Sequence, residues 1–376
     1  MRRTLLAASA AVFAVATTTA QDMKFFYPAP APSAIEVTKD VPYGELRLDL
    51  YRPGGGATAL PAVIFSNLAT GAQRSNPFYK AWAEIAASQG VAAILPDLRL
   101  ETYAKDMEAL IAHLLANGSS LRIDRDRIAL YAGSGNVSRS LPFVQDPKQT
   151  AIRSAVMYYG AALVTEFRRD LPILFVRAGL DRPPVNRAMT ELVTLATSQN
   201  APVSLLNYPG GHHAFEIVDD ADETRDTIDR TIDFVKRTTL PGYQASVRRG
   251  LQEATAAAHV ATGKFKEAAA AYGELVKARP DDHRLRLSYG EALLGDRQFA
   301  EACVELEKLK GKGLGPRDLG VPAARACMQK GDPDLAIAWL QSIPERFRPR
   351  DLEKDPIFAP IQDRADFKAL FQPREP

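Results

Sequence analysis

The sequence contains only two cysteines, Cys303 and Cys327, among its 376 residues. Small exported domains that replace a large core by disulfides need more cysteines than this, so that class of protein is excluded. Both cysteines fall at apolar positions of predicted helices. We therefore expect small buried side chains with free thiols, and a disulfide between them is the alternative, because an oxidising compartment would permit one.

The sequence also has no excess of charge of either sign. Its 47 basic and 45 acidic residues give a formal net charge of +2. A protein that binds nucleic acid needs a basic surface, so we expect no nucleic-acid partner. Hydrophobic residues make up 46% and charged residues 24%, as in ordinary globular proteins. The length predicts two domains.

No apolar run approaches the roughly 18 residues of a membrane-spanning helix, so no transmembrane segment is expected. The run from Leu5 to Ala16 has 12 residues, follows Arg2 and Arg3, and precedes small residues that end at Ala20. This order is typical of a secretory signal peptide, and an N-terminal core helix is the alternative. We predict that residues 1–20 are the signal peptide, cleaved after Ala20 or else after Ala16, and that the protein is exported, either periplasmic or secreted.

Short apolar runs alternate with helical patterns between residues 35 and 240. Charged and apolar residues alternate over 45–51, as in a half-buried strand, and the apolar runs, each bounded by turn residues, cover 62–65, 91–95, 128–131, 155–158, 173–176 and 203–206. Helical periodicity covers 78–88, 105–115, 186–198 and 223–236. This alternation predicts an α/β domain over 35–240 with a mostly parallel, doubly wound sheet, preceded by a proline-rich linker over 21–34.

The composition changes after Pro241-Gly242, because no further strand pattern occurs. Three columns of residues then share a spacing of 34: Phe265 and Phe299; Ala268, Ala302 and Ala336; and Tyr272, Leu306 and Leu340. This period resembles that of tetratricopeptide repeats, over 249–282, 283–316 and 317–350, with a helical cap at 351–372. The resemblance implies an all-α solenoid over 246–372, with chance helical periodicity as the alternative.

A small-Gly-Ser-Gly turn at 132–136 directly follows the predicted strand 128–131. A sharp turn between a strand and a helix, with small neighbours, exposes the hydroxyl of Ser134 at the edge of the sheet. The turn resembles the nucleophile elbow of α/β-hydrolases, G-x-S-x-G, but Ala132 and Asn136 replace its outer glycines. Asn tolerates a positive φ better than most residues. A glycine-rich turn without chemistry is the alternative.

An acid and a histidine follow Ser134 in the order that the α/β-hydrolase fold requires. Asp181 lies 47 residues later, in a turn after a predicted strand, and His213 another 32 residues later, in a loop after the next strand. The family usually places its His before a small residue and Phe, which favours His213 over His212. Asp181 could instead only shape its turn, and the two histidines could bind a metal with Glu216.

An oxyanion hole needs two backbone N–H donors. The resemblance assigns one to Gly135, directly after the serine, and the other to the loop after Phe65. The family commonly has His-Gly in that loop, whereas this chain has Asn67-Leu68. Leu68 is therefore the expected second donor.

The resemblance to α/β-hydrolases covers about residues 40–240 and is closest to the dienelactone-hydrolase-like and small carboxylesterase groups, although dienelactone hydrolases use Cys where this chain has Ser134. It implies a serine hydrolase with a small-molecule ester substrate and no cofactor, and the predicted signal peptide adds that this hydrolase is exported. The repeats would bind a protein partner or shape the cleft. A non-catalytic scaffold of the cell envelope, built from the same two domains, is the alternative.

Overall fold

The computed structural model describes residues 23–56, 58–68 and 73–372. The predicted signal peptide lies outside these residues. The chain divides into two compact units, Met1–Val247 and Arg248–Pro376. Among the described residues, no helix combines the length and the apolar character needed to cross a membrane.

The first unit is built on one eight-stranded sheet. Its strands are β1 (Ile35–Tyr43), β2 (Leu46–Pro53), β3 (Leu60–Ser66), β4 (Ala92–Pro96), β5 (Ile123–Gly133), β6 (Ile152–Tyr158), β7 (Ile173–Ala178) and β8 (Val203–Tyr208). Their order in the sheet is β1-β2-β4-β3-β5-β6-β7-β8. Strand β2 is antiparallel to both neighbours, and β3 to β8 pair in parallel. The central strands are buried, as their continuous apolar sequences predict.

Helices cover both faces of this sheet. They are α1 (Pro77–Ser88), α2 (Tyr103–Leu121), α3 (Val137–Gln145), α4 (Pro183–Ser198), α5 (Phe215–Val218) and α6 (Asp222–Thr238). One buried cluster contains Ile64 and Met107, and a second contains Phe65 and Trp82. Because successive residues of β3 point to opposite faces, Ile64 and Phe65 enter different clusters. The predicted α/β class with a mostly parallel sheet is confirmed.

Two N-terminal segments differ from the predictions. Strand β1 was not predicted, because it lies at the edge of the sheet and most of its residues are exposed, so its sequence lacks a clear alternation. The described part of the predicted linker also packs on the first unit. The ring of Phe25 lies 6.0 Å from that of Trp82, and the Phe26 N–H donates to the carbonyl of Glu216 at 2.7 Å.

The described part of the chain after α6 is helical. It contains α7 (Pro241–Ala261), α8 (Phe265–Ala278), α9 (His283–Gly295), α10 (Phe299–Glu307), α11 (Pro316–Lys330), α12 (Pro333–Ser342), three short 3₁₀ turns between Glu345 and Ile361, and α13 (Ala365–Lys368). Pro241 begins α7, since proline is favoured in the first turn of a helix, where its missing N–H costs nothing.

The second unit has its own core, in which the predicted alanine column is central. Ala268, Ala302 and Ala336 are all fully buried. Each lies in the second helix of a pair, and the small side chain allows the two helices to approach closely. The all-α class of this region is confirmed by the helices and by the repeat match reported below.

The expectation of free thiols was wrong. Cys303 on α10 and Cys327 on α11 form a disulfide, with their Cα atoms 4.9 Å apart. Both side chains are fully buried, as the apolar pattern indicated. The sequence could not decide between thiols and a bridge, because the decision depends on the distance between two helices that are separated along the chain.

Candidate active site

Ser134 lies at the sharp turn between β5 and α3. Strand β5 ends at Gly133, a single 3₁₀ turn spans Ser134–Asn136, and α3 begins at Val137. The φ of Ser134 is +54°, a conformation that costs energy for a residue other than glycine and persists only where the surroundings enforce it. Such strain is found at nucleophile elbows, where it holds the serine hydroxyl away from the strand.

The three predicted catalytic side chains lie in one hydrogen-bonded row. Ser134 Oγ is 2.8 Å from Nε2 of His213, and Nδ1 of His213 is 2.6 Å from Oδ2 of Asp181. The carboxylate of Asp181 is fully buried, and its other oxygen accepts the Arg182 N–H at 2.7 Å. A buried carboxylate on Nδ1 favours the tautomer that carries its proton there, which leaves Nε2 able to accept a proton from the serine.

These residues meet because they follow neighbouring parallel strands. Ser134 follows β5, Asp181 follows β7, and His213 follows β8, so all three lie at the carboxyl edge of the sheet. This edge is where open α/β sheets bind ligands. Ala214, with a φ of +59°, then turns the chain sharply into α5.

His212 has a different partner. Its Nδ1 lies 2.7 Å from Asp219 Oδ1, its backbone N–H donates to the other oxygen of the same carboxylate, and its side chain is about half exposed. Among the described residues, no group of three or more His, Cys, Asp or Glu side chains could hold a metal ion.

The loop expected to supply the second oxyanion donor is held by Asn136. The Leu68 N–H donates to Asn136 Oδ1 at 2.9 Å, and Asn136 Nδ2 donates to the Tyr79 hydroxyl at 2.8 Å. Asn136 has a φ of −66°, so its tolerance of positive φ is not used. Its role in the structure is instead to connect the elbow to the loop through its side chain. A Cβ atom at Gly135 would meet nothing within 4 Å, so open space lies beside this expected first donor.

A buried carboxylate, which the sequence indicated only as a possible metal ligand, is bonded to Tyr159, whose ring contacts that of His213. Glu216 is fully buried, and three side chains donate to it: Trp82 Nε1 at 3.3 Å, the Tyr131 hydroxyl at 3.3 Å, and the Tyr159 hydroxyl at 3.1 and 2.9 Å to its two oxygens. Burial raises the pKa of Glu216 to about 7, although these hydrogen bonds favour the charged form. The only feature of the sequence that pointed to Glu216 was its position three residues after His213.

The turn carrying Asp181 and the loop carrying His213 pack closely at one glycine. The Gly179 N–H donates to the Tyr208 carbonyl, and a Cβ atom at Gly179 would lie 2.1 Å from the carbonyl oxygen of Pro209. That oxygen belongs to the backbone and cannot move alone. The distance between Asp181 and His213 therefore depends on the absence of a side chain here.

Gly179→Ala is expected to destabilise the protein by about 1–3 kcal/mol, the usual cost of overpacking, and to lower activity by displacing His213 from Asp181. Gly210→Ala is the matched control, because its Cβ would make only an ordinary contact with Tyr208 at 3.7 Å. Thermal unfolding and ester turnover of both variants measure the two effects. Equal behaviour of the two variants would contradict the role of the close approach.

An apolar groove of about 670 Å³ lies beside the elbow. Ser138, one turn after Ser134, lines it together with residues 161–164 and the face of α4 that carries Leu192. Leu163 is almost fully exposed there. The segment between β6 and β7 that forms this side of the groove is short and contains no helix.

Comparison with known proteins found similarities in both parts of the chain. Residues 254–309 match the tetratricopeptide repeat family model. No curated protein matches the sequence. Among solved structures, the chain is similar to the esterase Est22 (16% identity, TM-score 0.45, covering 54% of this chain and 82% of that one). It is also similar to brefeldin A esterase, a bacterial homologue of human hormone-sensitive lipase (12%, 0.48, 55% and 78%), and to a bacterial heroin esterase (13%, 0.47, 59% and 87%).

The strand order of the sheet and the turn after β5 give the first unit the α/β-hydrolase fold. A tetratricopeptide repeat region follows it.

Proposed function

We propose that the protein is a serine hydrolase of carboxyl esters that uses Ser134, His213 and Asp181. The observation that carries this proposal is the row of two short hydrogen bonds from Ser134 Oγ through His213 to the buried Asp181. The strained backbone of Ser134 at the end of β5 supports it, since hydrolytic serines are presented in this way.

In this reaction, Ser134 Oγ attacks the carbonyl carbon of the ester while His213 Nε2 takes the hydroxyl proton. The carbonyl π electrons move onto oxygen, and the N–H of Gly135 and a donor from the Leu68 loop stabilise the negative charge. The intermediate collapses, the alcohol leaves with the proton from His213, and the acyl group stays on Ser134. Water then attacks the acyl carbon while His213 takes its proton, and the acid is released as Ser134 Oγ recovers a proton from His213. Asp181 orients His213 and stabilises its imidazolium.

The groove beside the elbow supports an apolar group in the substrate, because alanine, leucine and valine side chains provide most of its lining. No helical insertion covers it between β6 and β7. The second unit would bind a protein partner or shape access to the cleft, as helical repeats commonly present extended binding surfaces.

A fluorophosphonate probe tests the proposal directly, because it reacts only with an activated serine. We expect the probe to label the wild type at Ser134 and to leave Ser134→Ala unlabelled, because only a serine whose proton is taken by a neighbouring base reacts with it. A wild type that shows neither labelling nor turnover of any ester would favour the non-catalytic scaffold. In the resting structure the Leu68 N–H is already bonded to Asn136, which is the observation that favours this second candidate.

We also propose that the protein acts outside the cytoplasm after removal of the signal peptide. The mature chain is expected to begin at Gln21, because the small residues before it end at Ala20. N-terminal sequencing of protein from the periplasm and the medium measures this. Intact Met1 on a cytoplasmic product would remove the proposal of export and leave the proposed chemistry unaffected.

A further inference from the structure

We infer that Glu216 and Tyr159 form a positioning pair that holds the imidazole of His213 in its working orientation. The inference rests on the proposed function and adds to it two residues that lie outside the row from Ser134 to Asp181. They act on His213 from the side that faces the protein interior.

Tyr159 contacts His213 directly. The centroids of the two rings are 4.7 Å apart, with an angle of 54° between their planes. A cation within about 6 Å of an aromatic ring centroid is attracted to the ring face. The imidazolium that forms when His213 takes the proton of Ser134 lies within this distance, and the contact limits rotation of the ring.

Tyr159 needs support to make this contact, because its own backbone is strained. Its φ of +27° is unfavourable for a residue with a large side chain, and such conformations persist only where the surroundings enforce them. Its hydroxyl donates to both oxygens of Glu216, and Phe215 packs edge-on against its ring at 5.7 Å. Glu216 thus fixes the far end of the tyrosine whose ring contacts His213.

Glu216 also anchors the loop of His213 itself. It lies on α5, three residues after His213, and its carboxylate is bonded to Trp82 on α1 and Tyr131 on β5. Only Ala214, whose φ is +59°, and Phe215 separate His213 from Glu216 along the chain, so fixing Glu216 also fixes the position of His213. Loss of the carboxylate would leave three buried donors without their acceptor and release both the loop and Tyr159.

The strength of the hydrogen bond between Tyr159 and Glu216 depends on pH, because Glu216 can ionise. The groups that face it are neutral: Trp82 and Tyr79 from α1, Tyr131 from β5, and Tyr158 and Tyr159 from the end of β6. Burial holds the pKa of each of these tyrosines above its ordinary value, so Glu216 is the group in this cluster that titrates near neutrality. An ionised Glu216 accepts stronger hydrogen bonds from Tyr159 than a protonated one.

The test compares Tyr159→Phe, Glu216→Gln, the double variant and Tyr158→Phe. Tyr159→Phe keeps the ring beside His213 and removes only the bond to Glu216. Tyr158→Phe is the matched control, because it deletes the hydroxyl of the neighbouring residue, which bonds Thr231 Oγ1 at 2.6 Å and not Glu216. Tyr159→Phe should lower kcat about tenfold with KM unchanged, and Glu216→Gln, which also weakens the bonds from Trp82 and Tyr131, should lower it at least as much. The double variant should lose little more than Glu216→Gln alone, because both changes break the bond between Tyr159 and Glu216.

The pH profile provides a second measurement. Activity of the wild type should fall as the pH drops through the pKa of Glu216, about 7, because a protonated Glu216 accepts weaker hydrogen bonds from Tyr159. Glu216→Gln should lack the part of this loss that Glu216 causes. Independently of activity, Trp82 fluorescence in a Trp339→Phe background should change with pH around neutrality and lose this change in Glu216→Gln.

A third measurement keeps this inference separate from the proposed function. The ring resonances of His213, assigned by their loss in His213→Ala, should be single in the wild type and Tyr158→Phe and should broaden or double in Tyr159→Phe. Unchanged resonances in Tyr159→Phe, or additive losses of kcat, would overturn the positioning role. An inactive wild type whose His213 resonances respond as expected would overturn the proposed function alone. If Glu216→Gln does not fold, Tyr159→Phe and its control decide the question.

Discussion

Replacing Ser134 or His213 by alanine is expected to lower kcat for short-chain aryl esters by roughly three or more orders of magnitude. The two side chains share one proton, across the 2.8 Å between Oγ and Nε2. Either replacement interrupts the same transfer, so the double variant should lose little more than a single one. Asp181→Asn should cost somewhat less, because Ser134 and His213 can still meet when the imidazole is poorly oriented.

His212→Ala is the matched control for His213→Ala. His212 is bonded to Asp219 and half exposed, so its loss should leave kcat unchanged within about twofold. Steady-state kinetics with p-nitrophenyl esters, together with thermal unfolding of each variant, separate lost chemistry from lost folding. Wild-type turnover by Ser134→Ala on every ester would reject the assignment of these residues.

The fold class could be predicted because its signals are local. Residues 62–65 and 128–131 are continuous apolar runs, which lie in the buried parallel strands β3 and β5. Each run is bounded by turn residues and separated from the next by a helical pattern. Strand β1 lacks such a signal, because an exposed edge strand needs no regular apolar face.

The part of the candidate site that depends on the order of residues along the chain could be predicted. Ser134, Asp181 and His213 each follow a predicted strand, and parallel strands bring such residues to one edge. The bonds of Asn136 to Leu68 and of Glu216 to Tyr159 could not be predicted, because they join side chains from loops and helices whose positions are decided only by packing. For the same reason, the distance between Cys303 and Cys327 was not readable from the sequence.

Removing the disulfide between Cys303 and Cys327 is expected to lower the free energy of unfolding of the second unit by about 3 kcal/mol. The bridge joins α10 to α11 across a sequence separation of 24. It restricts the unfolded chain more than the folded one, so its removal stabilises the unfolded state. Both sulfurs are fully buried, so the thiols of the reduced protein should still pack as small apolar side chains.

Trp339 allows this effect to be measured in the intact protein. It lies on α12 in the same buried cluster as both cysteines, whereas Trp82, the other tryptophan, belongs to the core of the first unit. The Trp82→Phe variant is first refolded with or without dithiothreitol, and its unfolding in urea is then followed by the fluorescence of Trp339. In dithiothreitol the midpoint of unfolding should move to a lower urea concentration. A Cys303→Ala, Cys327→Ala variant should unfold near the reduced midpoint under both conditions, because it has no bridge to lose. If the reductant leaves the transition of the bridged protein unchanged, the disulfide does not stabilise the second unit.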